Sequence, residues 1–203
     1  VPNSTKTQKG YSIIEENGLF GFLESRKGKL DAVVVTGGEP TIHNDLPEFL
    51  KKIKQMGFLI KLDTNGTNPD MLQKLIDQKL INYIAMDIKA PLEEYEKAVS
   101  VKAPLEKLEK SIIIIKNSGL PPRKDGRGTY EFRSTIMPSL HNTEAIEKMG
   151  QMIEGADKWY LQKFKSDIEL IDKNFEGRNF FIDKEMQELG EVAKKYVKFL
   201  GIR

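Results

Sequence analysis

Cysteine is absent from all 203 residues. That excludes disulfides, thiolate nucleophiles, zinc–thiolate sites and cysteine-ligated iron–sulfur clusters for this polypeptide. Histidine is nearly absent too. His43 and His141 have no metal-ligand partner at useful spacing and read as neighbours of loops or helix caps. No apolar run approaches the roughly 20 residues of a membrane span, and no signal-peptide pattern is seen. Neither sign of charge dominates: 32 Lys and Arg against 30 Asp and Glu leave a net charge of +2. The basic residues are spread rather than clustered, so nucleic acid is offered no footprint. Repeats and low-complexity tracts are also missing. The expectation is a soluble, cytoplasmic protein with one α/β domain over 1–203, no membrane association and no nucleic-acid partner.

What the chain has is a series of short β-branched runs alternating with amphipathic stretches. The most informative run is Ala32–Thr41, Ala-Val-Val-Val-Thr-Gly-Gly-Glu-Pro-Thr. Val33–Val35 reads as a fully buried strand. Gly37 and Gly38 allow φ > 0 or close approach of backbone N–H groups to a ligand. Pro40 pushes Glu39 into an extended conformation. Further strands are expected over Phe58–Asp63, Ile81–Ile88, Tyr130–Met137, Lys158–Phe164 and Val197–Ile202. Helices are expected over Tyr11–Arg26, from Leu46 to Ile53 with Asn44 or Asp45 as cap, after Pro69, over Leu92–Val99, from Pro104 to Ile115, over Thr143–Gly155 capped by Asn142, and over Ile182–Lys195. Leu120–Gly128 reads as a turn-rich loop and Asp167–Arg178 as a long connection. Strict alternation implies a parallel sheet with right-handed crossovers. Six strands are too few for a closed eight-stranded barrel, so an open partial β/α barrel is expected.

Polar residues recur just beyond successive strands. Glu39 follows the first, Asp63-Thr64-Asn65 the second, and Asp87 and Lys89 the third; Arg133 lies within the fourth and Gln162 near the end of the fifth. In a parallel barrel these ends share one mouth. The chemistry suits a small zwitterionic, polyhydroxylated ligand. A carboxylate beside glycine N–H groups suits an ammonium. Asp63 and Asp87 suit ribose hydroxyls or a hydrated cation, and Arg133 a carboxylate. Each residue also has a plain reading: Asp63 as an Asx turn before Asn65-Gly66, Lys89 as a snorkelling strand lysine, Arg133 as the balance to Glu131 on a solvated face.

Thr36-Gly-Gly-Glu-Pro-Thr41, then Lys61-Leu-Asp-Thr-Asn-Gly66, then Ala85-Met-Asp-Ile-Lys-Ala-Pro91 resembles the radical S-adenosylmethionine (radical SAM) superfamily. Within it the chain looks like the glycyl-radical-enzyme activases, most like the activating proteins of anaerobic ribonucleoside-triphosphate reductase. Tyr130-Glu-Phe-Arg-Ser-Thr-Ile-Met-Pro138 and Trp159-Tyr-Leu-Gln-Lys-Phe164 continue the match in order. The resemblance implies a partial (β/α)6 TIM-like barrel. Gly37, Gly38 and Glu39, with Pro40 closing the motif, would hold the methionine amino group of SAM. Asp63, Thr64, Asn65 and Asp87 would line the cofactor site, with a monovalent cation held at Asp63 and Asp87 in some relatives. Arg133 and Gln162 would lie near the SAM carboxylate or adenosine, and Lys89 falls within the matched motif. In an intact member a [4Fe–4S] cluster reduces SAM, and the resulting radical takes hydrogen from a glycine of the partner enzyme.

The chain departs from that pattern in one respect. The three-cysteine loop C-x3-C-x2-C is absent, and no serine or histidine cluster replaces it. The implied barrel would lack its first strand, leaving Ala32–Thr36 as a free edge that could pair two copies. The expectation is an N-terminal truncation, inactive on its own, with SAM as the cofactor it could still bind and an iron–sulfur cluster it could not hold. The alternative is a non-catalytic module that binds SAM or docks on the partner. A third reading makes Lys89 a Schiff-base lysine of an aldolase, its charge lost to burial.

Overall fold

The computed structural model describes residues 14–120, 129–164 and 180–203. The loop expected at 121–128 and the connection at 167–178 lie outside the described residues. Among the described residues thirteen helices and strands follow one another: α1 (Glu16–Ser25), β1 (Ala32–Val35), α2 (Leu46–Gln55), β2 (Leu59–Thr64), α3 (Pro69–Asp77), β3 (Tyr83–Asp87), α4 (Tyr95–Val99), α5 (Leu105–Lys116), β4 (Tyr130–Ile136), α6 (Thr143–Met152), β5 (Ala156–Lys163), α7 (Asp183–Ala193) and β6 (Val197–Ile202). Single 3-10 turns stand at Pro40–Ile42 and Leu92–Glu94, so the helix expected over 92–99 is split in two.

The helices follow from their periodicity. In α2 the side chains of Leu46, Leu50 and Ile53 are buried along one stripe, each worth about 1.5–3 kcal/mol in removal from water. Ile112–Ile115 could pass for strand, but Ile112 and Ile115 are buried while Ile113 is 59% exposed, as helical spacing requires. Asn68 and Asn142 cap α3 and α6 through bonds to the Met71 and Ala145 amides. Asp45 sits at the cap position of α2 but makes no such bond.

The sheet order is β1-β2-β3-β4-β5-β6 and every pairing is parallel. A strand order that never reverses is that of a barrel wall, not of a doubly wound sheet. With six strands it is the expected open, partial TIM-like barrel. One face carries Ile60, Leu62, Ile84, Met86, Phe132, Ile136, Trp159 and Leu161, all buried in the helix-covered core. The other, concave face carries their sequence neighbours: Lys61, Asp63, Tyr83, Asp87, Glu131, Arg133 and Lys158.

One expectation is corrected here. β1 is not buried on both faces. It pairs only with β2, and Val34 is 52% exposed while Val33 and Val35 pack against the core. Among the described residues nothing pairs with its outer edge, and nothing packs over the concave side where Val34 stands.

Candidate functional site

The Gly-Gly-Glu-Pro turn leaves β1 at the C-terminal edge of the sheet. Gly37 takes φ +141°, which favours glycine, and a Cβ on Gly37 or Gly38 would meet open space. Pro40 begins the 3-10 turn and Glu39 is extended, with φ −153° and ψ 107°, as the proline demands. The Glu39 side chain does not project freely into the mouth. It is 8% exposed. Its Oε1 accepts from the Thr41 amide at 3.1 Å, the Thr41 hydroxyl at 2.5 Å and the Thr64 hydroxyl at 2.8 Å, while Oε2 accepts from the Asn65 amide at 2.5 Å. Glu39 therefore latches the exit of β1 to the exit of β2. An ammonium group could add only at Oε2, which has a single donor.

Beyond β2, Thr64 also accepts from the Gly66 amide at 3.1 Å, and the Asx turn is formed by Asn65, whose Oδ1 accepts from the Thr67 amide at 2.9 Å. Asp63 plays no part in that turn. Its side chain lies on the concave face, where Arg133 Nη1 donates to Oδ2 at 2.8 Å. Arg133 Nε donates to Asp87 Oδ1 at 3.0 Å, and Lys89 Nζ donates to Asp87 Oδ2 at 2.8 Å. Arg133 does not balance Glu131. Glu131 is itself buried, accepting from the Tyr83 hydroxyl at 2.9 Å and facing Lys61 Nζ at 3.5 Å. Burial works against the Arg133 charge, yet the Asp87 and Asp63 carboxylates outweigh it and raise the guanidinium above its ordinary value.

Of the four oxygens on Asp63 and Asp87, three accept from a cationic side chain. The fourth, Asp63 Oδ1, is buried without a hydrogen bond; Lys61 Nζ approaches to 3.3 Å but outside donor geometry. The orphaned oxygen marks where a ligand's donor would be satisfied. A monovalent cation shared by the two carboxylates would have to displace the Arg133 guanidinium that now bridges them. Lys89 is salt-bridged, with 38% of its side chain exposed, which is not the desolvated amine that the Schiff-base reading needs.

Gln162 lies on the concave face near the end of β5, level with Thr135 of β4, so it shares the mouth. The structure thus brings Asp63, Asp87, Lys89 and Arg133 into one ion-paired network. Glu39, Thr64 and Asn65 form an adjoining latch. Sequence reasoning passed over Lys61, Tyr83 and Lys158 and gave Glu131 only a balancing charge on a solvated face; all four extend the network down the concave face, where Lys158 Nζ donates to the Tyr83 hydroxyl at 3.3 Å. The signal was present, since Lys61/Asp63 and Glu131/Arg133 repeat charge at a spacing of two within strands whose intervening residues are apolar. His141 does neighbour a helix cap, standing just before Asn142, but it is also buried at 2% exposure, which the sequence did not reveal.

No residue set here can hold an iron–sulfur cluster in the thiolate manner, because the chain has no cysteine. Among the described residues no three His, Cys, Asp or Glu side chains group as a metal site. No helix among them is long and apolar enough to cross a membrane. The residues do fit SAM in charge. Two carboxylates, two cationic heads and an open glycine turn stand at consecutive strand ends.

A parallel partial barrel with its charged groups at the strand ends is the architecture that the sequence motifs lead one to expect. The radical SAM superfamily profile matches residues 7–151, and the chain belongs to that superfamily. It is 33% identical over 174 residues to a Methanocaldococcus jannaschii protein provisionally named a glycyl-radical enzyme activating enzyme, an alignment covering 85% of this chain and 70% of that protein. A second protein of that organism with the same provisional name is 29% identical, over 75% of this chain and 56% of its own length. Among solved structures, a domain of pyruvate-formate lyase-activating enzyme from Bacteroides vulgatus superposes with a TM-score of 0.62 at 16% identity, covering 83% of this chain and 98% of that one. Streptococcus suis SuiB bound to S-adenosylmethionine gives 0.60 at 12% identity, over 90% and 41%. At such identities these structures speak for the fold alone.

Proposed function

We propose that this chain is the SAM-binding part of a glycyl-radical-enzyme activase, with anaerobic ribonucleoside-triphosphate reductase as the partner class. The observation that carries the reading is the Asp63–Arg133–Asp87–Lys89 network, which joins the ends of β2 and β3 to Arg133 within β4, next to the Glu39-latched glycine turn. In this reading 1–203 acts as one partial barrel. Arg133 and Lys89 orient the ligand carboxylate. Asp63 Oδ1 and Glu39 Oε2 offer acceptors to its ammonium, and Asp87 and Gln162 serve the nucleoside end. The backbone of Gly37 and Gly38 gives close approach. SAM supplies a sulfonium whose C–S bond is the one cleaved; this chain's residues bind and orient it. The named relatives support the activase assignment, and the order of motifs supports the reductase as partner.

The absence of cysteine favours a second reading in the same terms. The chain on its own binds SAM or docks on the partner without cleaving SAM. Calorimetric titration with SAM, without iron, tests both. Saturable binding that weakens in Lys89→Ala is expected. A flat titration at millimolar SAM would remove the SAM assignment, and SAM cleavage by the purified chain would overturn the second reading.

A further inference from the structure

The exit of β3 is held by groups that no ligand role accounts for. His141 lies in the turn after β4 and is 2% exposed. Its Nε2 stands 2.9 Å from the Lys89 carbonyl, which can only accept, and its Nδ1 accepts from the Met137 amide at 3.1 Å. Only the neutral tautomer with the proton on Nε2 satisfies both contacts. The His141 amide in turn donates to the Met137 carbonyl at 2.9 Å, closing the turn on itself. From the other side the Tyr95 hydroxyl, on the first residue of α4, lies 3.4 Å from both the Asp87 carbonyl and the Lys89 amide. The Ile88 amide donates to the Arg133 carbonyl at 2.8 Å. Asp87, Ile88 and Lys89 are therefore fixed along their backbone by a buried imidazole, a buried phenol and the neighbouring strand.

From this geometry we infer that His141 is a positioning residue, assisted by Tyr95, that sets where the Asp87 carboxylate and Lys89 ammonium stand relative to Arg133. It ties the exit of the Arg133 strand to the exit of the Lys89 strand just beyond their ion pairs. Without it, the Lys89 carbonyl and the Met137 amide, both part-buried, lose their partners and the segment between Asp87 and Lys89 relaxes towards water. The inference rests on the SAM reading only for its binding readout.

The test compares His141→Leu, which fills the space without polar atoms, with His141→Gln, whose amide can donate to one group and accept from the other. Losing this hold is expected to weaken SAM binding about tenfold in His141→Leu, with His141→Gln recovering most of it. In a Lys89→Ala background the same His141→Leu change is expected to cost clearly less than its tenfold effect in the parent, because one of the two groups it positions is gone. Additive effects of His141→Leu and Lys89→Ala would overturn the inference, as would a lowered melting temperature with unchanged affinity. If the unmodified protein gives no binding heat, the SAM reading fails. Hydrogen exchange at the Ile88 and Lys89 amides then decides the positioning role. Faster exchange in His141→Leu that His141→Gln reverses supports it; equal exchange in all three proteins overturns it.

Discussion

Replacing Glu39 by Gln separates a latch from a ligand clamp. The carboxylate takes three donors on Oε1 and one on Oε2. The glutamine oxygen can keep the three at Oε1, from Thr41 and Thr64. The amide nitrogen must then stand where Oε2 was, facing the Asn65 amide from 2.5 Å, donor against donor. One buried donor left unpaired costs about 1–3 kcal/mol, and the remaining bonds lose their charge assistance. A total of about 2–4 kcal/mol follows, and at about 2–4 °C per kcal/mol for a chain of this size the melting temperature should fall by about 5–15 °C. Circular-dichroism melts and urea titrations of both proteins measure this. Thr64→Val provides the cycle: its coupling to Glu39→Gln should be about 1 kcal/mol or more, since the two side chains share a bond. A Glu39→Gln protein within about 1 kcal/mol of the parent would refute the latch.

Three other outcomes follow from the same contacts. Arg133→Ala leaves two part-buried carboxylates facing each other without their bridge; a loss of about 2–3 kcal/mol is expected, less than for a fully buried pair, and chemical denaturation measures it. Gly66→Ala meets both a φ of +79° and a Cβ that would lie 2.1 Å from Met86 Cε, so about 2 kcal/mol or more should be lost in the same assay, although the methionine can move. Burial holds His141 below its ordinary value of 6.5, against the opposite pull of the Lys89 carbonyl and the Glu94 carboxylate. The unfolded chain therefore binds the proton first as pH falls. Stability from this group is present above pH 6.5 and declines below it, by at most about 1.4 kcal/mol per pH unit, and His141→Gln should flatten that decline.

The elements were legible because their periods differ. Charge and apolar residues alternate at two in β2 and β4 and at three to four in α2, and β1, β2 and β4 stop at Gly37-Gly38, Asn65-Gly66 and Pro138. The strand-end residues were legible for a topological reason: in a parallel wall every C-terminal end faces one mouth, so Glu39, Asp63 and Asp87 had to lie near it. What each side chain does there was not legible. Glu39 finds its donors on Thr64 and Asn65, residues 25 and 26 positions away, and His141 finds Lys89 at a separation of 52. Such partners depend on register between strands, which local pattern does not specify. The burial of β1 was misjudged for a related reason, since three valines read alike whether a strand has one neighbour or two.

The charge that lines the concave face belongs to the same geometry. In a closed eight-stranded barrel the inward side chains must fill a dry interior, and branched apolar residues fill it best. A six-stranded wall does not close, so its inner face keeps a margin of water and can carry Lys61, Asp63, Glu131 and Arg133 in linked ion pairs, with Lys158 reaching them through the Tyr83 hydroxyl. The same ion pairs in a sealed core would cost more in desolvation than they return. Openness therefore does two things for this chain. It makes a polar interior tolerable, and under the proposed SAM reading it leaves that interior open to a charged ligand over the ends of β2 and β3. A substitution that made the face apolar, such as Lys61→Leu with Glu131→Leu, should keep or raise thermal stability while weakening SAM binding. If stability fell sharply instead, the network would be holding the sheet together and not serving the site.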